Sequence, residues 1–290
     1  MGGDVGSEKI AQDMTKALLG YDPDIIIIGG DIAYDQAMLT CWYSWDEFFW
    51  MFENLGDKLN KVIPLVAGVG NHDVGYDAGS TLNINKEDPP HWFKFMPQHL
   101  KPAPNDTIGV DNIVAVPDFN ERRTYFHHTF SGAVFLSLDS DYVYDYSGVQ
   151  MQYLTNVSEE NPDLLKIAYY HNPTYPCCQD FGDTSQTIQN HSMETWIPAF
   201  EDYSYLAVFE NHVHLWKKTY SLKGGKVVDK DDGVTYFGDG NWGVNHAGCD
   251  TTAVSNSTGI LETSGPTNHI WIINLNDTHY EVFPINTTGQ

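Results

Sequence analysis

IIIIGGDIAYDQ, residues 25–36, decides how this chain is read. Four isoleucines in a row are too apolar for a surface strand and describe one buried on both faces, as in a parallel sheet covered by helices. Directly after them come Gly-Gly, two carboxylates and a phenol. Taken alone, GGD after a strand is a tight turn with Asp31 capping whatever follows. The arrangement recurs, however, and recurrence gives it meaning.

Working outward, VIPLVAGVGNHD (62–73), LLKIAYYHNP (164–173) and YLAVFENHVH (205–214) are also apolar runs that end in polar side chains. Between them lie helical patterns. SEKIAQDMTKALLG (7–20) carries Ile10, Met14 and Leu18 on one face, with Ser7 placed as N-cap and Gly20 as the stop. SWDEFFWMFENLGDKLN (44–60), GVQMQYLTNV (148–157) and SMETWIPAFEDY (192–203) read likewise. Alternating buried strands and amphipathic helices imply parallel βαβ units, with TYFHHTF (124–130) and AVFLSLDS (133–140) as further strands. Hairpin-like strands at VTYFGDG (234–240), HIWIINL (269–275) and HYEVF (279–283) suggest a second sheet packed on the first. The expected fold is α/β: two mixed sheets packed as a sandwich and flanked by helices, in one domain over 1–290 with no separate N-terminal β-sandwich. The stretch from Tyr76 to Arg123 has no periodicity and clusters its Pro, Asn and Asp, as a lid or rim does.

A formal net charge of −24, from 39 acids against 15 bases, argues against nucleic acid or an anionic membrane as partner. No run is long enough to span a bilayer. A small phosphorylated molecule stays admissible, because a multivalent cation reverses the local potential. Oligomeric state is not legible. Six N-x-S/T sequons, at Asn105, Asn156, Asn190, Asn256, Asn276 and Asn286, lean towards a glycoprotein. Cys41, Cys177, Cys178 and Cys249 fit one or two disulfides, a vicinal 177–178 bridge among the options. Together these imply a secreted or vacuolar/lysosomal protein. MGGDVGSEK has neither a charged leader nor an apolar segment, and the expectation is that the start, with most of a first strand, is missing.

In an open α/β sheet the carboxyl ends of the strands form the ligand crevice. Asp31, Tyr34, Asn71, His72, Asp73, His171, His212 and His214 should therefore converge although they are far apart in sequence. Individually each has a bland reading: GNHD as a turn, His171 as a satisfied buried histidine, HVH as the polar face of a strand, where His212 and His214 would point the same way. Collectively a carboxylate, an amide oxygen, imidazoles and a phenol form a donor set for hard or borderline cations. The ligands are too many for one tetrahedral ion and suit a two-metal centre bridged by a carboxylate. Asp4, in the same GGD context as Asp31, completes it.

At this point GDVG (3–6), GDIAY (30–34), GNHD (70–73), AYYH (168–171) and NHVH (211–214) resemble, in order and spacing, the metal-site motifs of purple acid phosphatases within the calcineurin-like metallophosphoesterases. The resemblance implies the four-layer metallophosphoesterase fold and hydrolysis of phosphate monoesters at acid pH. It implies Fe(III) on Asp4, Tyr34 and His214, a divalent Zn, Mn or Fe ion on Asn71, His171 and His212, and Asp31 bridging. A metal-bound hydroxide would be the nucleophile, His72 the general acid, and Asn71 and His191 substrate contacts. Asn190 stands where plant-type members tend to carry a second histidine. Asn211 replaces the usual Gly of the last motif and is expected to take its left-handed backbone. Were the start genuine, Asp4, with three residues before it, would be loosely held. The alternatives are a calcineurin-like phosphodiesterase with two divalent ions, or a metal-binding glycoprotein impaired in catalysis.

Overall fold

The computed structural model describes residues 1–56, 61–75, 90–96, 123–178, 186–246, 251–252, 258–276 and 279–287. The expected lid or rim at 76–123 falls outside them except for residues 90–96 and Arg123, as do Cys249 and the sequons at Asn105 and Asn256.

The chain order is α1 (Lys9–Leu19), β1 (Ile26–Ile28), a short 3-10 turn at Leu39–Cys41, α2 (Tyr43–Gly56), β2 (Leu65–Ala67), α3 (Asn71–Val74), α4 (His91–Phe95), β3 (Phe126–Phe130) and β4 (Ala133–Ser137). There follow α5 (Gly148–Glu160), β5 (Leu165–Tyr169), α6 (Gln186–Asp202), β6 (Ala207–Phe209), β7 (Trp216–Thr219), β8 (Leu222–Lys223), β9 (Lys226–Val227), β10 (Thr235–Gly238), β11 (Leu261–Gly265), β12 (Ile270–Asn276) and β13 (His279–Ile285). Seven strands form the larger sheet, in the order β11-β7-β10-β6-β5-β4-β3. Strands β4, β5, β6 and β10 run parallel, whereas β3, β7 and β11 pair antiparallel to their neighbours, so the sheet is mixed.

The parallel pair β1-β2 and the hairpin β12-β13 stand apart from that sheet and are joined by the first residues of the chain. Gly2 bridges in parallel to Ile28, while Met1 and Trp271 exchange both backbone hydrogen bonds, the pattern of an antiparallel pair. The alternation legible as one set of parallel strands is thus divided between two sheets. VTYFGDG, expected in the second sheet, lies inside the first as β10, between β6 and β7.

Period-2 burial explains the layering. Ile27, on one face of β1, packs with Val66, Phe135, Ile167, Tyr169, Phe209 and Trp271 between the sheets. Ile26 and Ile28, on the opposite face, pack with Met14 and Leu18 of α1 and with Trp45, Phe48 and Met51 of α2. On the far side, Ala168 and Tyr170 meet Leu154 of α5 and Trp196 and Phe200 of α6. Each strand of the β1 and β5 type is apolar on both faces because one face meets a sheet and the other a helix. The N-cap of α1 is Glu8, not Ser7, whose hydroxyl instead reaches Glu47 Oε2 at 3.2 Å. Cys178 is disulfide-bonded, and Cys41 and Cys177 are free thiols, so no 177–178 bridge forms.

Candidate metal centre

The candidate ligands sit just beyond strand ends or in the chain's first residues, with Asn71 opening α3, and several of them have an unusual backbone. Asp4, Asp31, Tyr34, His212 and His214 have φ of 59°, 51°, 55°, 77° and 57°. Non-glycine residues there cost on the order of 1 kcal/mol or more each, so the surroundings must hold them. Asp73 does much of this. Its carboxylate accepts the N–H groups of Asp31 (2.8 Å), Ile32 (2.9 Å) and Gly70 (2.8 Å), tying the turn after β1 to the turn after β2. Gly70 allows the approach, since a Cβ there would stand 2.2 Å from Asp31 Oδ1. Asp4 is not loosely held. It is fully buried, its N–H donates to Gly30 O at 3.1 Å, and its Oδ2 accepts the His212 N–H at 2.9 Å.

His212 and His214 lie beyond the end of β6, not on a strand. Their rings point into one site because both residues are left-handed, a different cause from strand alternation. Asn211 does not have the positive φ expected of a glycine substitute. Its side chain donates to Tyr170 O at 2.8 Å and fills the space left by glycines, since a Cβ on Gly3 or Gly29 would fall 2.4 or 2.1 Å from its carboxamide.

The side chains form two groups that share Asp31: Asp31, His171 and His212, and Asp4, Asp31 and His214, with ligand atoms inside 4.8 Å of one another in each. In the first, Asn71 Oδ1 stands 3.0 Å from both His171 Nε2 and His212 Nδ1, those two nitrogens are 3.2 Å apart, and Asp31 Oδ2 is 3.1 Å from His171 Nε2. His171 Nδ1 faces Gly29 O at 3.2 Å and donates to it, which turns Nε2 towards Asn71 Oδ1 and Asp31 Oδ2. In the second, Tyr34 Oη lies 3.0 Å from Asp4 Oδ1 and 3.1 Å from His214 Nε2, and those two are 3.0 Å apart.

Asn71 Oδ1 faces two imidazole nitrogens, and Asp4 Oδ1 faces a phenol and an imidazole, each across about 3 Å; bonds of about 2.0–2.2 Å to one ion set such a spacing. The donors therefore fit metal ions. Asp31 Oδ2 is buried and has no hydrogen-bond partner, and the ion pairs of Asp4 and Asp31 among the described residues are with histidines alone. Burial would raise the Asp31 carboxyl, yet His171, His72 and His212 hold it well below the usual range. Burial opposes the charge on His171, but Asp31 and Asp4 raise it to about 9, whereas burial and His171 push His212 down to about 3. Burial, then Asp4 and Asp31, push the Tyr34 phenol well above its ordinary value, so a strong Lewis acid is required to ionise it.

His72 borders the cluster. Its Nδ1 is 2.5 Å from Gln36 Oε1, its Nε2 is 3.8 Å from Asp31 Oδ2, and its ring lies 4.6 Å from that of Tyr34. His191 is further out, exposed on α6, with its ring 6.2 Å from that of Tyr146. A cavity of about 240 Å³ lined by Met1, Ile27, Phe135 and Trp271 lies between the sheets and away from this cluster.

Sequence reasoning missed a second buried cluster beneath the first. Lys217 Nζ is 2.5 Å from both Glu210 Oε2 and Asp239 Oδ1 and donates to Tyr175 O, all of these side chains being sealed from solvent. Glu210 Oε1 accepts from Tyr170 Oη (2.6 Å) and Thr174 N (2.7 Å), and Asp239 Oδ2 accepts from Cys177 N (3.0 Å). GDG at 238–240, a strand end with the same pattern as GGD, was the signal for Asp239.

Among solved structures the chain is similar to the purple acid phosphatase PPD1 of yellow lupin (Lupinus luteus), with a TM-score of 0.72 and 14% identity over 100% of this chain and 51% of that one. It is also similar to PhoD (TM-score 0.63, 12% identity, 96% of this chain and 67% of that one). A third is GAP50, the anchor in the inner membrane complex of Plasmodium (TM-score 0.58, 12% identity, 99% and 84%). At such identities the likeness concerns the fold, and the chain spans about half the length of the lupin protein. No curated protein matches it in sequence. The family model of the calcineurin-like phosphoesterases matches residues 3–215, from the glycine before Asp4 to the residue after His214, and the chain belongs to that family.

Proposed function

We propose that this protein hydrolyses phosphate monoesters at acid pH, with Fe(III) held by Asp4, Tyr34 and His214, a divalent Zn, Mn or Fe ion held by Asn71, His171 and His212, and Asp31 shared by both. The observation that carries the reading is the pair of donor groups meeting at one carboxylate, with a phenol in only one of them. Such a pair of ions, when bound, supplies Lewis acidity to the phosphoryl group and to attacking water.

The chain's own residues do the rest. Asp73 and Gly70 fix the backbone from which Asp31 projects. Gln36 accepts from His72 Nδ1, which leaves Nε2 facing the crevice to deliver a proton to the departing alkoxide. Asn71 and His191 contact the substrate. Support for a secreted or vacuolar/lysosomal glycoprotein comes from the exposed sequon residues Asn156, Asn190 and Asn276 and from the bonded Cys178.

The test is metal analysis with a visible spectrum, beside p-nitrophenyl phosphate turnover at pH 4 to 7. Tyr34→Phe should abolish a phenolate-to-iron band while some hydrolysis persists; a band retained in the variant removes Tyr34 as ligand. Two divalent ions with no visible band, and cleavage of diesters in preference to monoesters, would select the phosphodiesterase reading.

A further inference from the structure

A phosphoryl group at this site needs hydrogen-bond donors, and among the described residues neither Asp4 nor Asp31 pairs with a Lys or Arg that could serve. A neutral donor stands beside the cluster instead. The loop between β4 and α5 is fixed by Asp139, whose carboxylate accepts the N–H groups of Tyr142 (2.8 Å), Val143 (3.1 Å) and Tyr144 (3.1 Å) and the hydroxyl of Thr124. Gln150 braces the same loop, accepting from Asp139 N at 2.6 Å and donating to the carbonyl oxygens of Asp139 (3.0 Å) and Asp145 (2.8 Å).

So held, the loop presses Tyr142 against the proposed ligand His171, with ring centroids 5.9 Å apart. Tyr142 is 3% exposed, and its buried hydroxyl has no hydrogen-bond partner. An unpaired buried hydroxyl costs about 1–3 kcal/mol, and native proteins keep few of them. After burial, the charge of Asp31 is the foremost influence raising the Tyr142 phenol, with Asp4 contributing too, so the hydroxyl lies within electrostatic reach of both carboxylates. Asn172, which follows His171, joins the same loop by donating its N–H to Ser140 Oγ at 3.0 Å. Its side chain is 1% exposed, and neither carboxamide atom has a partner. Two residues with unpaired buried polar atoms thus adjoin His171, one packed against its ring and one next to it in sequence.

We propose that the Tyr142 hydroxyl is a substrate-contacting group that donates a hydrogen bond to a phosphoryl oxygen, with the Asn172 carboxamide beside it on the same wall. The assignment rests on the phosphatase reading and adds a recognition residue to it.

The experiment compares Tyr142→Phe with the parent as metal-loaded proteins, measuring inorganic phosphate binding by calorimetry, metal content by mass spectrometry and the thermal midpoint of each metal-free form. Phosphate affinity should fall about tenfold or more, the loss of one hydrogen bond to a charged acceptor. Metal content should be unchanged and the metal-free midpoint no lower, because the hydroxyl removed had no partner. Phosphate binding within about twofold of the parent overturns the proposal, as does loss of metal or a lowered midpoint, either of which makes Tyr142 structural. A parent that carries both metals yet neither binds phosphate nor releases it from p-nitrophenyl phosphate overturns the phosphatase reading and this proposal together; a parent that does both alongside an unaffected variant overturns this one alone.

Discussion

Two buried clusters of ionisable groups meet at the end of β6, where Glu210 belongs to one and His212 to the other, and they are neutralised in different ways. Glu210 and Asp239 close on Lys217, with every remaining oxygen directed to a backbone or hydroxyl donor. Burial first, and then the pull of Asp239 and Glu210, set the Lys217 charge; the carboxylates win and hold its pKa above the ordinary value. Asp4 and Asp31 close on histidines, and among the described residues neither pairs with a lysine or arginine. The lesson is chemical. A carboxylate pair closed on its own ammonium makes a fixed joint, whereas carboxylates that face imidazoles and a phenol form a donor set open to a cation from solution.

That contrast breaks first at Asp31. Asp31→Asn keeps the shape but removes the charge the two donor groups share, and loss of several kcal/mol of transition-state stabilisation should lower turnover by about 10³-fold. Metal analysis should show depleted ions while the thermal midpoint of the metal-free protein is not lowered. An unchanged metal content would break the contrast outright.

Lys217→Met should act the other way round. It leaves Glu210 and Asp239 buried without a countercharge, at roughly 3–5 kcal/mol, or on the order of 10 °C in Tm. Calorimetry of the metal-free protein reads this directly, and adding Glu210→Gln and Asp239→Asn should recover part of the loss. A single variant as stable as the parent would show that the lysine is dispensable as a joint.

His72→Ala sharpens the reading of the open cluster. Turnover of alkyl phosphates should fall by about 10², and that of p-nitrophenyl phosphate, whose leaving group needs no proton, much less. Equal losses on both esters would take the proton-donor role away from His72.

The smallest effect concerns a third kind of buried group, neutral His269, which donates its backbone N–H to Asn241 O at 2.9 Å near the Asp239 turn. Burial pushes its pKa from 6.5 down to about 4. The unfolded chain therefore binds the proton more readily between those values, and this residue's contribution to stability is lost as pH falls from 6.5 towards 4. Asp139 and Asp239, each pushed up to about 6 chiefly by burial, act in the opposite sense and gain stability as pH falls through 6. His269→Gln should thus be more stable than the parent at pH 5, relative to pH 7, by about 2 kcal/mol, measured as paired denaturant midpoints.

Much of the open cluster was legible in sequence because its donors are chemically odd residues at the ends of apolar runs: Asp31 after Ile26–Ile28, His171 after Leu165–Tyr169, His212 and His214 after Ala207–Phe209. The closed cluster was not. Lys217 sits in WKKT, a polar run with no apolar signature, although it belongs to β7, one strand in from the edge of the larger sheet. Tyr142 and Asn172 were hidden for a similar reason: loops carry such residues everywhere, and only packing against His171 sets these apart.

By itself the sequence determined which segments bury both faces, which side chains end them, and hence that donors suited to two ions meet at one rim. Those are consequences of local pattern, since periodicity and chemistry are properties of neighbouring residues. Tertiary structure alone decided that β1 and β5 belong to different sheets, because a strand buried on both faces does not encode what covers each one. It also decided that His212 and His214 aim together through left-handed turns, and that a lysine near the end of β6 locks the loops beneath them. Such matters depend on contacts between residues two hundred or more positions apart, as in the bond from His212 N to Asp4 Oδ2, and pairings of that range are settled only when the whole chain packs.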